Sequence, residues 1–60
     1  MNRTNFDVRL YARERKVYLS QIADWFDVQP QTITKWLGKE LSRDRKEEFF
    51  RAIDEIVESR

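Results

Sequence analysis

Residues 19–38 read LSQIADWFDVQPQTITKWLG, and the spacing of their apolar side chains decides the fold. Leu19, Ile22, Ala23 and Phe26 fall at i, i+3, i+4 and i+7, a complete amphipathic stripe. That stripe predicts a helix from about Leu19 to Trp25 or Phe26, with Leu19 in the core. Ala23 is small enough to let another helix approach closely. Asp27 stands where the chain must reverse. A left-handed backbone there suits Gly best, but Asp tolerates it better than most residues. Pro30 fits the first position of a second helix, where its missing N–H had no partner anyway, and it holds Gln29 extended. Val28 follows the turn, Ile33, Trp36 and Leu37 form the second helix's buried face, and Gly38 is the natural stop. The segment reads as two short helices joined by a tight turn.

Two flanking helices complete the pattern. The first runs from about Phe6 to Arg15, with Thr4 or Asn5 as cap and Asp7 at its positive end. Val8, Tyr11 and Ala12 form its buried stripe. No Gly follows it, so this end frays or places Lys16 in an unusual backbone region, after which Val17 points back to the core. The last helix starts after Ser42, a good N-cap, and runs to about Glu58. Phe49, Phe50, Ile53, Ile56 and Val57 form a broad apolar stripe, joined by Leu41 from the connection. Glu47–Arg51 and Arg51–Glu55 are i, i+4 pairs on the solvent side, each contributing a few tenths of a kcal/mol. The expected fold is all-α: a single small four-helix domain over residues 1–60.

Composition narrows the possible functions. At 60 residues the chain buries only about 60% of its unfolded surface, so its stability is modest. It has neither Cys nor His, which removes disulfides, thiolate metal sites, the commonest metal ligand and the usual general base. Ser20 and Ser42 have no His partner and sit at helix starts where capping explains them. The Glu47–Glu48 pair reads as a solvated helix face rather than a metal site. No Gly-rich phosphate loop occurs, and a cofactor pocket is hard to fit beside so small a core. No enzyme, cofactor, metal or small-molecule substrate is expected. No apolar run is long enough for a signal peptide or a membrane span, so a cytoplasmic location is expected.

The net charge is only +1, but its distribution is uneven. Residues 3–16 hold five cations against two carboxylates, net +3, and residues 30–46 hold the same balance. Residues 47–58 hold one cation against five carboxylates, net −4, so an acidic tail hides a basic body.

Residues 19–38 resemble the helix-turn-helix of phage repressor and Cro-like DNA-binding proteins, a lambda-repressor-like arrangement. Ile22, Ala23, Phe26, Asp27, Val28, Ile33 and Trp36 fill that family's positions in register, and VQPQTITKW is close to its common VSPQTISKW wording. The stretch 8–56 is similar to small regulators of phages and mobile elements of Gram-positive bacteria. Four positions depart from the pattern. Asp27 replaces the usual turn Gly, and Lys16 the Gly common after the first helix. Gln29 replaces the Ser or Thr cap, leaving an amide that a phosphate or water could satisfy. Leu19 stands where a phosphate-binding Gln is often found, which moves that contact to Tyr18, Ser20 or the backbone nearby.

The resemblance implies a sequence-specific transcriptional regulator, homodimeric on double-stranded DNA with half-sites about one helical turn apart, and nucleoid-associated when bound. Helix 30–38 would enter the major groove. Gln31 would bond adenine in a bidentate way or other bases singly, Lys35 would reach guanine acceptors or a phosphate, and Thr34 would place its methyl against thymine. Tyr18, Ser20, Gln29, Thr32, Lys39, Arg43 and Arg45 would hold the backbone. Gln31, Thr34 and Lys35 also fit an ordinary solvated face; the full register favours base contact for Gln31 and Lys35, and leaves Thr34 nearly balanced. Trp36 reads as core, and Trp25 as a dimer anchor or a cover over the last helix. Phe6, Leu10 and Phe49 or Phe50 are candidate dimer residues, or they only complete the core. Two rival roles stay open: an excision, replication or packaging accessory factor, and a protein-interaction domain on the same fold.

Overall fold

A computed structural model describes residues 4–60. Helices α1 (Phe6–Glu14), α2 (Leu19–Phe26), α3 (Pro30–Leu37) and α4 (Arg43–Ser59) follow one another along the chain, and no strand occurs among the described residues. The protein is an all-α, four-helix domain. The long α4 is the post: α1 and α2 both pack on it, and α3 packs on α2. Among the described residues ten apolar side chains are buried between them, from Val8 and Ala12 on α1 to Phe49, Ala52 and Ile53 on α4. Around this centre the rings interlock edge to face: Phe26 lies 5.6 Å from Trp36 and Tyr11 4.9 Å from Phe50. Trp25 covers α4, donating from Nε1 to Glu55 Oε1 at 3.0 Å.

The first two helices end in the same way. At the end of α1, Lys16 is left-handed at φ 58°. Val17 N–H reaches back to Ala12 O at 2.9 Å and Lys16 N–H to Arg13 O at 3.1 Å. At the end of α2, Asp27 is left-handed at φ 61°, with Val28 N–H on Ala23 O and Asp27 N–H on Asp24 O. Both are Schellman closures, and in both an Ala and a Val five residues later meet across the turn. The sequence carries this as ARERKV and ADWFDV, with Lys16 and Asp27 at the position that Gly usually occupies. Ser42 caps α4 as expected, its Oγ accepting from Arg45 N–H at 3.3 Å.

The structure corrects several expectations. Leu19 is not in the core: it is 37% exposed, because the first residue of α2 stands beside a groove rather than beneath another helix. Trp36 is half-buried at the core's edge, its ring between Phe26 and Phe49 on one side and the Arg45 guanidinium on the other. Phe49 has no exposed surface and cannot form a dimer contact in this fold, whereas Phe6 and Leu10 are exposed. The pairs expected along α4, Glu47–Arg51 and Arg51–Glu55, are not among the ion pairs of the described residues; Arg45–Glu48 forms instead, at 3.3 Å.

The largest correction concerns Asn5. It does not cap α1 with its side chain, and its backbone is left-handed at φ 56°. Its side chain is fully buried and crosses to the far end of α3. There Nδ2 donates to Leu37 O at 3.0 Å and to Lys39 O at 2.7 Å, while Oδ1 accepts from Leu41 N–H at 2.8 Å. Arg9 Nη2 adds a second donor to Leu37 O. This explains how α3 stops. Gly38 follows the last residue of α3 as expected, but it is right-handed, at φ −70°, so the helix stops without a left-handed glycine closure. The orphan carbonyl at the end of α3 is satisfied instead by two α1-side residues.

Candidate nucleic-acid interface

The face of α3 opposite its core residues is polar and open. Ile33 and Leu37 are buried, at 0% and 1% exposed. At 100° per residue, Gln31, Thr34 and Lys35 fall together on the outward side, and all three are exposed. Gln31 and Lys35 stand one turn apart, about 6 Å along the axis. Thr34 Oγ1 donates back to Pro30 O at 3.4 Å, so its hydroxyl is held by its own helix.

The start of α3 is bare. Gln29 has the extended backbone of an N-cap, φ −73° and ψ 150°, but no side chain accepts from the first-turn amides. Thr32 N–H turns inward to Gln29 O at 2.9 Å, and the Thr32 side chain is half-buried. The N-terminal end of α2 presents Tyr18, 68% exposed, and Ser20, also exposed. Tyr18 N–H donates to Gln21 Oε1 at 2.8 Å, which closes that helix start without using the Tyr18 hydroxyl. Tyr18, Ser20 and Gln29 are thus all solvent-facing at the starts of the two helices joined by the turn at Asp27.

The basic residues beyond α3 divide into two groups. Lys39 and Arg43 are exposed and make no ion pair among the described residues, as is true of Lys35. Arg45 is half-buried, its guanidinium 4.6 Å from the Trp36 ring centroid and paired with Glu48, so its charge is partly compensated. Lys46 is occupied by the protein's own surface carboxylates: its Nζ lies 3.1 Å from Asp7 Oδ2 and also contacts Glu40 Oε2. The Glu40 carboxyl is held below its ordinary range, first by that Lys46 contact and then by Asn5 N–H. Burial pushes the Asp7 carboxyl up, but the Lys46 ammonium and the Val8 N–H outweigh it and leave its pKa lowered. Lys46 is raised in turn, by Glu40 first and Asp7 second. The +3 of residues 30–46 therefore overstates the charge available to an outside ligand.

Sequence reasoning missed Asn5 and Arg9, which hold the end of α3 from another helix. Nothing local marks them, since their partners are backbone carbonyls some thirty residues away. No group of three or more His, Cys, Asp or Glu side chains able to hold a metal occurs among the described residues, and none of the helices there is long and apolar enough to cross a membrane. Comparisons with known protein families, with characterised proteins and with solved structures found no match to this chain.

Proposed function

We propose that the protein is a sequence-specific binder of double-stranded DNA, acting as a small transcriptional regulator, with α2, the turn at Asp27 and α3 working as a helix-turn-helix of the phage repressor and Cro-like kind. The observation that carries this reading is the outward face of α3. It gathers Gln31, Thr34 and Lys35 on a short helix whose opposite face is locked into the core. A helix of this kind fits the major groove and offers side chains to base edges. The roughly 6 Å between Gln31 and Lys35 spans about two base steps of 3.4 Å. Gln31 suits adenine, Lys35 suits guanine acceptors, and the Thr34 methyl is the group left for thymine, since its hydroxyl is held by Pro30 O. Lys39 and Arg43 serve phosphates on one flank, and Tyr18, Ser20 and the uncapped helix start at Gln29 serve them on the other. Thr32 and Arg45 are weaker contributors, being half-buried. A homodimer on an inverted repeat suits so short a reading helix.

The acidic surface of α4 favours a second reading, a protein-interaction domain on the same fold. Salt separates the two: DNA affinity falls steeply as salt rises, while an apolar interface is little affected. The test is selection of bound sequences from a random duplex library. A recovered motif supports the proposal, and a symmetric one supports the dimer; no enrichment over random DNA overturns it. Gln31→Ala and Lys35→Ala are expected to weaken binding to the selected site by about 1–3 kcal/mol each with little change in melting temperature. Equal losses on random duplex would show that neither side chain reads sequence.

A further inference from the structure

α1 and α2 do not pack against one another, and between them lies an open groove of about 600 Å³. Its floor is apolar, formed by residues such as Val17, Ile22 and Leu37. Its rim carries Arg9, Arg13 and Lys16, and no acidic side chain lines it. Gln31, Thr34 and Lys35 take no part in it, so it is distinct from the outward face of α3. Two large hydrophobic side chains stand exposed at its edge, Tyr18 at 68% and Leu19 at 37%.

Lys46 meets Asp7 and Glu40, and Arg45 meets Glu48. The groove cations, like Lys35, Lys39 and Arg43, have no carboxylate partner of this kind among the described residues. Arg9 donates only to the carbonyls of Thr4 and Leu37, and Arg13 and Lys16 make no ion pair among the described residues. Arg9 and Arg13 lie one turn apart on α1, with Lys16 following at its end. An uncompensated basic rim over an apolar floor matches the two faces of an acidic amphipathic helix.

We propose that the groove between α1 and α2 docks an acidic amphipathic helix of a partner protein, its apolar side against Leu19 and the floor and its carboxylates against Arg9, Arg13 and Lys16. A second copy docked groove to groove would set one +3 rim beside another, which like-charge repulsion opposes. A sugar-phosphate backbone would answer the rim but has no apolar face for Leu19.

The test uses the full chain and a fluorescent synthetic helix with Glu at i, i+4 and i+7 and Leu on the adjoining face, followed by anisotropy in the absence of DNA. It therefore reads the groove whether or not α3 binds DNA. Saturable binding with a Kd in the micromolar range is expected. Arg13→Glu combined with Lys16→Glu should weaken it about tenfold or more, and a peptide with Lys in place of Glu should recover affinity for that variant. Leu19→Asp should weaken binding of the acidic peptide while the circular dichroism of the exposed-site variant stays that of the parent. Four outcomes overturn the proposal: no binding up to millimolar peptide, equal binding by the charge-reversed variant, displacement of the peptide by random-sequence duplex, or self-association of the chain that excludes the peptide.

Discussion

Asn5 combines a left-handed backbone with a fully buried amide, and each feature has a measurable cost and return. Its side chain satisfies two carbonyls and one N–H in the segment from Leu37 to Leu41. At about 1 kcal/mol for each buried hydrogen bond, and with an added cost for Ala in left-handed backbone, Asn5→Ala should lose roughly 3 kcal/mol or more. Asn5→Gly loses the same hydrogen bonds but relieves the backbone, so it should lose less. Urea unfolding followed by tryptophan fluorescence checks both; an unchanged midpoint for the Ala variant would refute the buried role. Lys16 presents the opposite case, a left-handed residue at φ 58° whose side chain is exposed and forms no ion pair among the described residues. Relief of about 1–2 kcal/mol in the folded backbone, set against about 0.4–1 kcal/mol of added freedom in the unfolded chain, predicts that Lys16→Gly gains about 0.5–1 kcal/mol. A melting temperature that falls would contradict the closure described here. Asp27 and Lys16 were both legible as strained turn residues, because a helix must stop there without Gly. Asn5 was legible only as a candidate cap, because its real partners are remote in sequence.

At the scale of elements, all four helices could be read from apolar spacing, with ends within a residue or so of those observed. The local signals agree with the tertiary solution in α2, α3 and α4. They diverge at helix margins, where a side chain's surroundings depend on what packs across from it. Leu19 has the right spacing for the stripe of α2, but no helix covers its end of the stripe. Trp36 has the right spacing in α3, yet the deepest positions go to Ile33 and Leu37 and the larger ring is left at the rim. The start of α3 offers a direct test. Gln29 already has N-cap backbone angles but makes no side-chain cap hydrogen bond. Gln29→Ser should therefore supply an acceptor to the first-turn amides and stabilise the fold by about 1 kcal/mol, read as a raised melting temperature. No gain would mean that those amides are already satisfied in solution.

At the scale of the whole molecule, one charged cluster joins three parts of the chain. Lys46 of α4 meets Asp7 of α1 and Glu40 of the connection, and Glu40 also accepts from Asn5 N–H. Both carboxyls have lowered pKa values, so their contribution is complete above the ordinary values of 4.5 for Glu40 and 3.8 for Asp7 and is lost as pH falls through the lowered ones. Lys46 is raised from 10.5, so its share persists through neutral pH and disappears only in strong alkali. The melting temperature should therefore decline as pH drops below about 4.5, and Glu40→Gln should shrink that decline by removing one titrating partner. Because these groups are largely exposed, high salt should also reduce the difference between parent and variant. Parallel acid profiles for the two proteins at low salt would show that the cluster does not couple the ends of the domain.

The outward face of α3 was legible because it is the complement of a local stripe: once Ile33 and Leu37 are inside, Gln31, Thr34 and Lys35 must be outside. The sequence by itself thus determined the helices, their turns and the polar face of α3, all consequences of spacing within a few residues. Only the tertiary structure decided how α3 ends, which cations are compensated and where the groove lies. Those depend on contacts between residues tens of positions apart, such as Asn5 with Leu37 and Lys46 with Asp7, and no local pattern encodes them.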